Sequence, residues 1–178
     1  SGGDSDWESA AVTTEIGPAR GERTLRLPEV RGMRESERPL SGLRLLLVED
    51  GPDNQRLISF VLKKFGAVVT IAKDGLEALE WFGFDPEDAD SERNTIDVDG
   101  PFDMVLTDIQ MPRMDGYMLA SILRAASCRI PIVALTAHAM NGERERCFDA
   151  GCDGYATKPI DRAELLATIQ EVLACANP

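Results

Sequence analysis

Leu45-Leu46-Leu47-Val48 is an unbroken apolar run, and it stops at two acids, Glu49 and Asp50. A run this short, apolar on both faces, suits a central strand of a parallel sheet. Working outward, Gly51-Pro52-Asp53-Asn54 is a turn with a candidate helix N-cap. Leu57, Ile58, Val61, Leu62 and Phe65 then recur at helical spacing, and Gly66 ends that helix. Val68-Val69-Thr70-Ile71 is β-branched and predicts a second strand. Gly75 to Phe82 predicts a second helix, with Leu76, Leu79 and Phe82 on one face. The alternation continues. Met104-Val105-Leu106 is a third strand ending at Thr107-Asp108, and Tyr117 to Ala126 is a helix. Ile132 to Leu135 is a fourth strand ending at Thr136, followed by a short helix from Glu143 to Ala150 that Gly151 closes. Gly154 to Thr157 is a fifth strand ending at Lys158-Pro159. A last helix, Arg162 to Ala174, turns Leu165, Leu166, Ile169, Val172 and Leu173 inward. Five strands alternating with five helices give an α/β fold, an open parallel sheet covered on both faces.

Two stretches fall outside this rhythm. Residues 1–40 mix eight acids and six arginines with Gly, Ser and Pro and show no period, which predicts a flexible linker or N-terminal arm. Within it, Thr24-Leu25-Arg26-Leu27-Pro28 alternates and could add a strand only to a host sheet. The folded domain is expected over residues 41–178, and the opening Ser1 suggests a piece of a longer chain. Between the second helix and third strand, residues 85–100 carry seven acids and one arginine. An EF-hand loop starting at Asp85 needs Gly at its sixth position and Glu at its twelfth, where Asp90 and Ile96 stand. That insertion therefore predicts a solvated, mobile loop.

The net charge of −12 and pI near 4.5 argue against direct contact with nucleic acid or an anionic membrane. No apolar run approaches the ~18 residues of a membrane span. Cys128, Cys147, Cys152 and Cys175 show no Cys-x-x-Cys pair and suit reduced thiols in a cytoplasmic protein. A zinc site from Cys147, Cys152 and His138 lacks ligand spacing.

The polar residues that end the apolar runs carry the chemistry. In an open α/β sheet the ligand site lies beyond the carboxyl ends of the strands. Glu49 and Asp50 end the first run, Asp108 the third, Thr136 the fourth and Lys158 the fifth. Three carboxylates brought together repel one another, and a hard divalent cation removes the conflict. Lys158 offsets the remaining charge and can pair with a phosphoryl oxygen, to which the Thr136 hydroxyl can also donate. One carboxylate is then left as a nucleophile.

At this point the residues resemble a family. Leu47-Val48-Glu49-Asp50, Thr107-Asp108-Ile109-Gln110-Met111-Pro112 with Met114-Asp115-Gly116, Ala134-Leu135-Thr136-Ala137, Ala150-Gly151-Cys152-Asp153-Gly154-Tyr155 and Lys158-Pro159 resemble, in order and spacing, the receiver domain of two-component response regulators. The resemblance implies a flavodoxin-like (βα)5 fold with strand order 2-1-3-4-5. It implies Asp108 as phosphoacceptor and Mg²⁺ or Mn²⁺ as cofactor. The metal ligands would be Asp50, Asp108 and the Gln110 backbone carbonyl, with Glu49 acting through water. Thr136 and Lys158 would sense the phosphoryl group, Tyr155 would be an aromatic switch, and Lys158-Pro159 would be a cis peptide. Gly51 departs from the Asn or Asp the family often has there, and the acidic insertion is longer than usual.

The implied function is a phosphorelay receiver. A histidine kinase or histidine phosphotransfer domain is the implied phosphodonor, and the face of the fourth helix, fifth strand and fifth helix is the readout and candidate dimer surface. Glu49-Asp50-Gly51-Pro52-Asp53-Asn54-Gln55 and Ala137-His138-Ala139-Met140 resemble receivers of hybrid histidine kinases. Gln110 and His138 lie where they could tune phosphoryl lifetime. A phosphorylation-independent docking module usually lacks the acceptor or an acid. An aspartyl-phosphate phosphatase commonly has a second Asp where Gln110 stands.

Overall fold

The computed structural model describes residues 37–88, 94–138 and 140–176, apart from the side chain of Asn141. The expected strand at Thr24 to Pro28 and residues 89–93 of the insertion lie outside the described residues. The elements are β1 (Arg44–Val48), α1 (Pro52–Lys64), β2 (Val68–Ala72), α2 (Gly75–Glu80), β3 (Met104–Asp108), α3 (Gly116–Ala125), β4 (Ile132–Thr136), α4 (Asn141–Asp149), β5 (Gly154–Thr157) and α5 (Arg162–Ala176). All strand pairs are parallel, in the order β2-β1-β3-β4-β5, which is the doubly wound flavodoxin-like sheet.

Strand side chains alternate between two cores, as the pleat requires. Leu46, Val48, Val105, Ile132 and Ala134 face α2 and α3, against Leu79, Phe82, Leu119 and Leu123. Leu45, Leu47, Met104, Leu106, Val133 and Leu135 face α1 and α5, against Ile58, Leu62, Leu165 and Ile169. The central strands are apolar on both faces because both faces are covered.

Several boundaries differ from the sequence reading. The fourth helix starts two residues early, at Asn141, with Gly142 in its first turn. Amide groups there have no helical acceptor, so the glycine costs little. The last helix continues to Ala176. The candidate N-cap of α1 is Gly51, with Pro52 at the first helical position and no capping side chain. At the other end of that helix, Leu40, assigned to the arm, is fully buried. Its N–H donates to the carbonyl of Phe65 at 2.9 Å, just past the end of α1. The packed body therefore begins before Ser41.

The acidic insertion is also more ordered at its described ends than its charge suggests. Pro86–Asp88 forms a short 3-10 turn. The Asn94 side chain accepts from Asp85 N–H at 2.7 Å and donates to the carbonyls of Asp85 at 2.6 Å and Asp88 at 3.1 Å. Asp97 N–H reaches the Phe82 carbonyl at 2.6 Å, and Ile96 and Val98 pack on the core. One amide side chain and two apolar residues outweigh the repulsion counted from the acids.

Three of the four thiols are enclosed. Cys128, Cys147 and Cys152 are buried and Cys175 is exposed. Burial pushes the Cys152 thiol up to about 12 and raises that of Cys147 as well, so both stay protonated and unreactive at neutral pH. In the native state at pH 8, iodoacetamide is expected to label Cys175 alone, with the other three reacting after urea is added. Mass spectrometry of the labelled chain checks this, and rapid labelling of Cys152 in the folded protein contradicts the packing.

Candidate functional site

Four strand ends meet at one edge of the sheet. Asp108 is the last residue of β3 and Thr136 the last of β4, while Glu49 and Lys158 directly follow β1 and β5. The Lys158 ammonium lies 2.7 Å from Glu49 Oε2 and 2.9 Å from Asp108 Oδ2. Glu49 is only 1% exposed and the side chain of Lys158 16%, so this is a shielded ion cluster and not a surface pair. Burial alone would lower the Lys158 pKa. The hydrogen bonds to Glu49 and Asp108, together with their charge, outweigh it and hold the ammonium above its ordinary value.

Oxygen atoms of Glu49, Asp50 and Asp108 all lie within 4.8 Å of one another, with Asp50 open to solvent. Three carboxylates carry more negative charge than one lysine balances. An all-oxygen donor set with one open side fits a hard divalent cation that keeps some of its water. Gln110 N–H donates to Asp108 Oδ1 at 3.2 Å, which places the start of the β3–α3 loop over that carboxylate.

That loop is held from below and from the side. Gly116, the first residue of α3, donates its N–H to the Ile109 carbonyl at 3.0 Å. A Cβ at Gly116 would stand 2.3 Å from the Asp108 carbonyl oxygen, so only glycine permits this approach. Arg113 has a positive φ of 63° and its guanidinium pairs with Asp74, a buried carboxylate whose other oxygen accepts from the N–H groups of Leu76 and Glu77 at the start of α2. Sequence reasoning missed this pair. Its members stand 39 residues apart, and an Asp before Gly75 signals only a helix cap.

Thr136 is buried, and its hydroxyl is engaged within its own loop. It accepts from His138 N–H at 3.1 Å and donates to the His138 carbonyl at 3.2 Å. The side chain of His138 is exposed. The Lys158-Pro159 bond is cis. Tyr155 is half-buried against α4, edge-on to Phe148 at 6.4 Å, with the Arg144 guanidinium 5.8 Å from its ring.

The other flank of α4 meets a second tyrosine that the sequence reading did not single out. Tyr117 donates to Glu143 at 2.9 Å, and the Arg146 guanidinium lies 4.6 Å over its ring. Burial first, and then the Glu143 bond, raise the Tyr117 pKa, so its phenol stays a donor. Between the two tyrosines, Cys147 is the one side chain of α4 that is buried among the described residues. Helical spacing carried the signal, since Glu143, Arg146 and Cys147 share one face and Arg144 and Phe148 another.

A family model for the response regulator receiver domain matches residues 45–170. The chain belongs to this family. Histidine kinase 1 of Arabidopsis thaliana is 38% identical to the receiver over 157 residues, which cover 76% of this chain and 13% of that protein. The sensor histidine kinase RcsC of Salmonella typhi is 33% identical over 127 residues, 71% of this chain and 12% of its own length. The receiver thus spans only about an eighth of these relatives. Among solved structures, the receiver domain of a sensor histidine kinase from Pseudomonas aeruginosa is 35% identical with a TM-score of 0.61, covering 75% of this chain and 99% of that one, and it holds a magnesium ion in its active-site cleft. The chemotaxis protein CheY4 of Vibrio cholerae is 26% identical with a TM-score of 0.60, covering 73% of this chain and 98% of that one. Among the described residues, no helix of the receiver is long and apolar enough to cross a membrane.

Proposed function

We propose that this receiver takes a phosphoryl group from a phosphohistidine onto Asp108 and passes the event to α4, β5 and α5 as a change of shape. The observation that carries the reading is the position of the Asp108 carboxylate, 2.9 Å from Lys158 and grouped with Glu49 and Asp50. Asp50, Asp108, the Gln110 carbonyl and, through water, Glu49 would hold Mg²⁺ or Mn²⁺, which would supply positive charge to offset the negative charge of the transferring group. Asp108 attacks phosphorus through a carboxylate oxygen, the P–N bond to the donor imidazole breaks, and the electron pair leaves with the imidazole, which takes a proton. Lys158 keeps its proton and pairs with a phosphoryl oxygen. The mixed anhydride is later hydrolysed by water attack at phosphorus, which returns the carboxylate and releases phosphate. The side chains of Gln110 and His138 border the path of that water and set its rate.

The switch follows from hydrogen-bond exchange. With a phosphoryl group on Asp108, the Thr136 hydroxyl turns its proton from the His138 carbonyl to a phosphoryl oxygen. The space it leaves is taken up by Tyr155, and the population shifts toward that arrangement. The likeness to histidine kinases supports a parent hybrid histidine kinase. In that setting the donor is a kinase or a histidine phosphotransfer domain, and the domain works in the cytoplasm. The α4-β5-α5 face is the proposed surface for readout and for dimer formation.

The test is intact-mass analysis after incubation with Mg²⁺ and acetyl phosphate, with beryllofluoride binding measured in parallel. The native chain is expected to gain one phosphoryl group only when metal is present, and Asp108→Ala to gain none. A folded native chain that takes up neither phosphoryl nor beryllofluoride overturns the reading in favour of a docking module. Sustained turnover of a phosphate monoester would point to a phosphatase instead.

A further inference from the structure

Glu49 lies one residue past β1, with its N–H still held by the Ala72 carbonyl of β2 at 3.0 Å, but that main-chain bond does not set where its carboxylate points. Its orientation comes from the first turns of α1. The Gln55 side-chain amide donates to the Glu49 main-chain carbonyl at 2.6 Å. Asn54 Nδ2 donates to Glu49 Oε1 at 3.3 Å, and Gly51 N–H donates to the same oxygen at 3.1 Å. Glu49 Oε2 is left for Lys158 at 2.7 Å. Each carboxylate oxygen thus has its own side of the site. Asp50 lies between the two anchored points, the Glu49 carbonyl and the Gly51 N–H, so its main chain is fixed by the same bonds. Meanwhile α1 starts without any side-chain cap, and Asn54 and Gln55 spend their amides on Glu49.

We propose that Asn54 and Gln55 are positioning residues that aim Glu49 at Lys158 and Asp50 at Asp108, and so set the affinity of the site for its divalent cation. The inference rests on the metal-assisted reading above. Partners that orient metal-site carboxylates cost about 10- to 100-fold in metal affinity when removed. The rival reading is that the two amides only tidy the start of α1, in which case their loss affects folding and not metal binding.

The experiment is a calorimetric titration of the full chain with Mg²⁺, paired with thermal unfolding in the absence of the ion. Gln55→Met keeps the length and the helix preference of the side chain and removes the donor. It is expected to weaken Mg²⁺ binding by about 10-fold or more, and adding Asn54→Ala is expected to weaken it further. Arg56→Ala alters an exposed position on the same helix without touching Glu49, and is expected to bind Mg²⁺ as the native chain does. Affinity retained within about twofold in Gln55→Met overturns the proposal, as does an equal loss in Arg56→Ala. A native chain that binds no Mg²⁺ instead overturns the metal-assisted reading itself, and this proposal with it.

Discussion

Lys158→Ala is expected to destabilise the metal-free receiver by about 3 kcal/mol, the lower end of what breaking a buried ion pair costs. The lower end applies because Asp50 is exposed and water reaches part of the cluster. With the lysine gone, Glu49 and Asp108 remain close to Asp50 with no cation among them. The same change removes a positive charge that competes with a metal ion, so the variant is expected to bind Mg²⁺ more tightly than the native chain and to regain much of its stability in millimolar Mg²⁺. Phosphoryl uptake from acetyl phosphate is expected to fall at the same time, because in the proposed mechanism Lys158 pairs with the transferring group. Sign matters for the pH dependence. The Lys158 pKa is raised in the folded state from 10.5, so its contribution is complete at neutral pH and is lost as pH rises above that value. The gap between native and variant should narrow in that alkaline range. Urea unfolding with and without Mg²⁺ reads all of this, and equal stability of the two chains without metal would contradict the cluster geometry.

Gly116→Ala is expected to cost about 3 kcal/mol, the upper part of the range for overpacking. Its Cβ would meet the Asp108 carbonyl oxygen at 2.3 Å, and the Asp108 carbonyl carbon and Ile109 Cα at 3.1 Å. All three are main-chain atoms, so no side chain can rotate away. The start of α3 has to lift off β3, and Asp108, the proposed acceptor, moves with it, so phosphoryl uptake should fall along with stability. Gly142→Ala supplies the contrast. Nothing lies within 4 Å of its Cβ, it sits in the first turn of α4, and it is expected to gain up to about 0.5 kcal/mol from helix propensity. Thermal unfolding of the two variants side by side checks the pair of signs.

The sheet was legible because its signal is local. Leu45 to Val48 and Ile132 to Leu135 are apolar throughout, and a strand covered on both faces has no other composition. The clustering of Glu49, Asp50, Asp108 and Lys158 followed because polar residues stand where those runs stop, and parallel strands bring such endings together. What escaped the reading depends on partners distant in sequence. Leu40 is a single apolar residue in polar company, and only the end of α1 tells that it is core. Asp74 and Arg113 pair across two loops. Asn54 suggests a helix start by composition, yet its amide serves the neighbouring carboxylate. The acidic insertion misled because charge density measures repulsion along the segment and is silent on what Asn94 and Ile96 do at its ends.

The polar make-up of α4 has an arithmetic consequence. Swinging a two-state equilibrium from 1:99 to 99:1 takes about 5.5 kcal/mol. A helix docked by a full apolar stripe would resist this, since each buried leucine contributes about 1.5–3 kcal/mol. α4 offers one buried thiol, a phenol bonded to Glu143, two arginines resting over rings, and the partly exposed Phe148 edge-on to Tyr155. A hydrogen bond to a charged group contributes about 1.5–3 kcal/mol and an exposed cation–ring contact about 0.5–1 kcal/mol. The new charge-assisted bonds of a phosphoryl group, about one to three in number, are of the same order. Asn141-Gly142-Glu143-Arg144-Glu145-Arg146, an unpromising helix by its side chains, is light enough in apolar anchorage for the proposed phosphorylation to relocate.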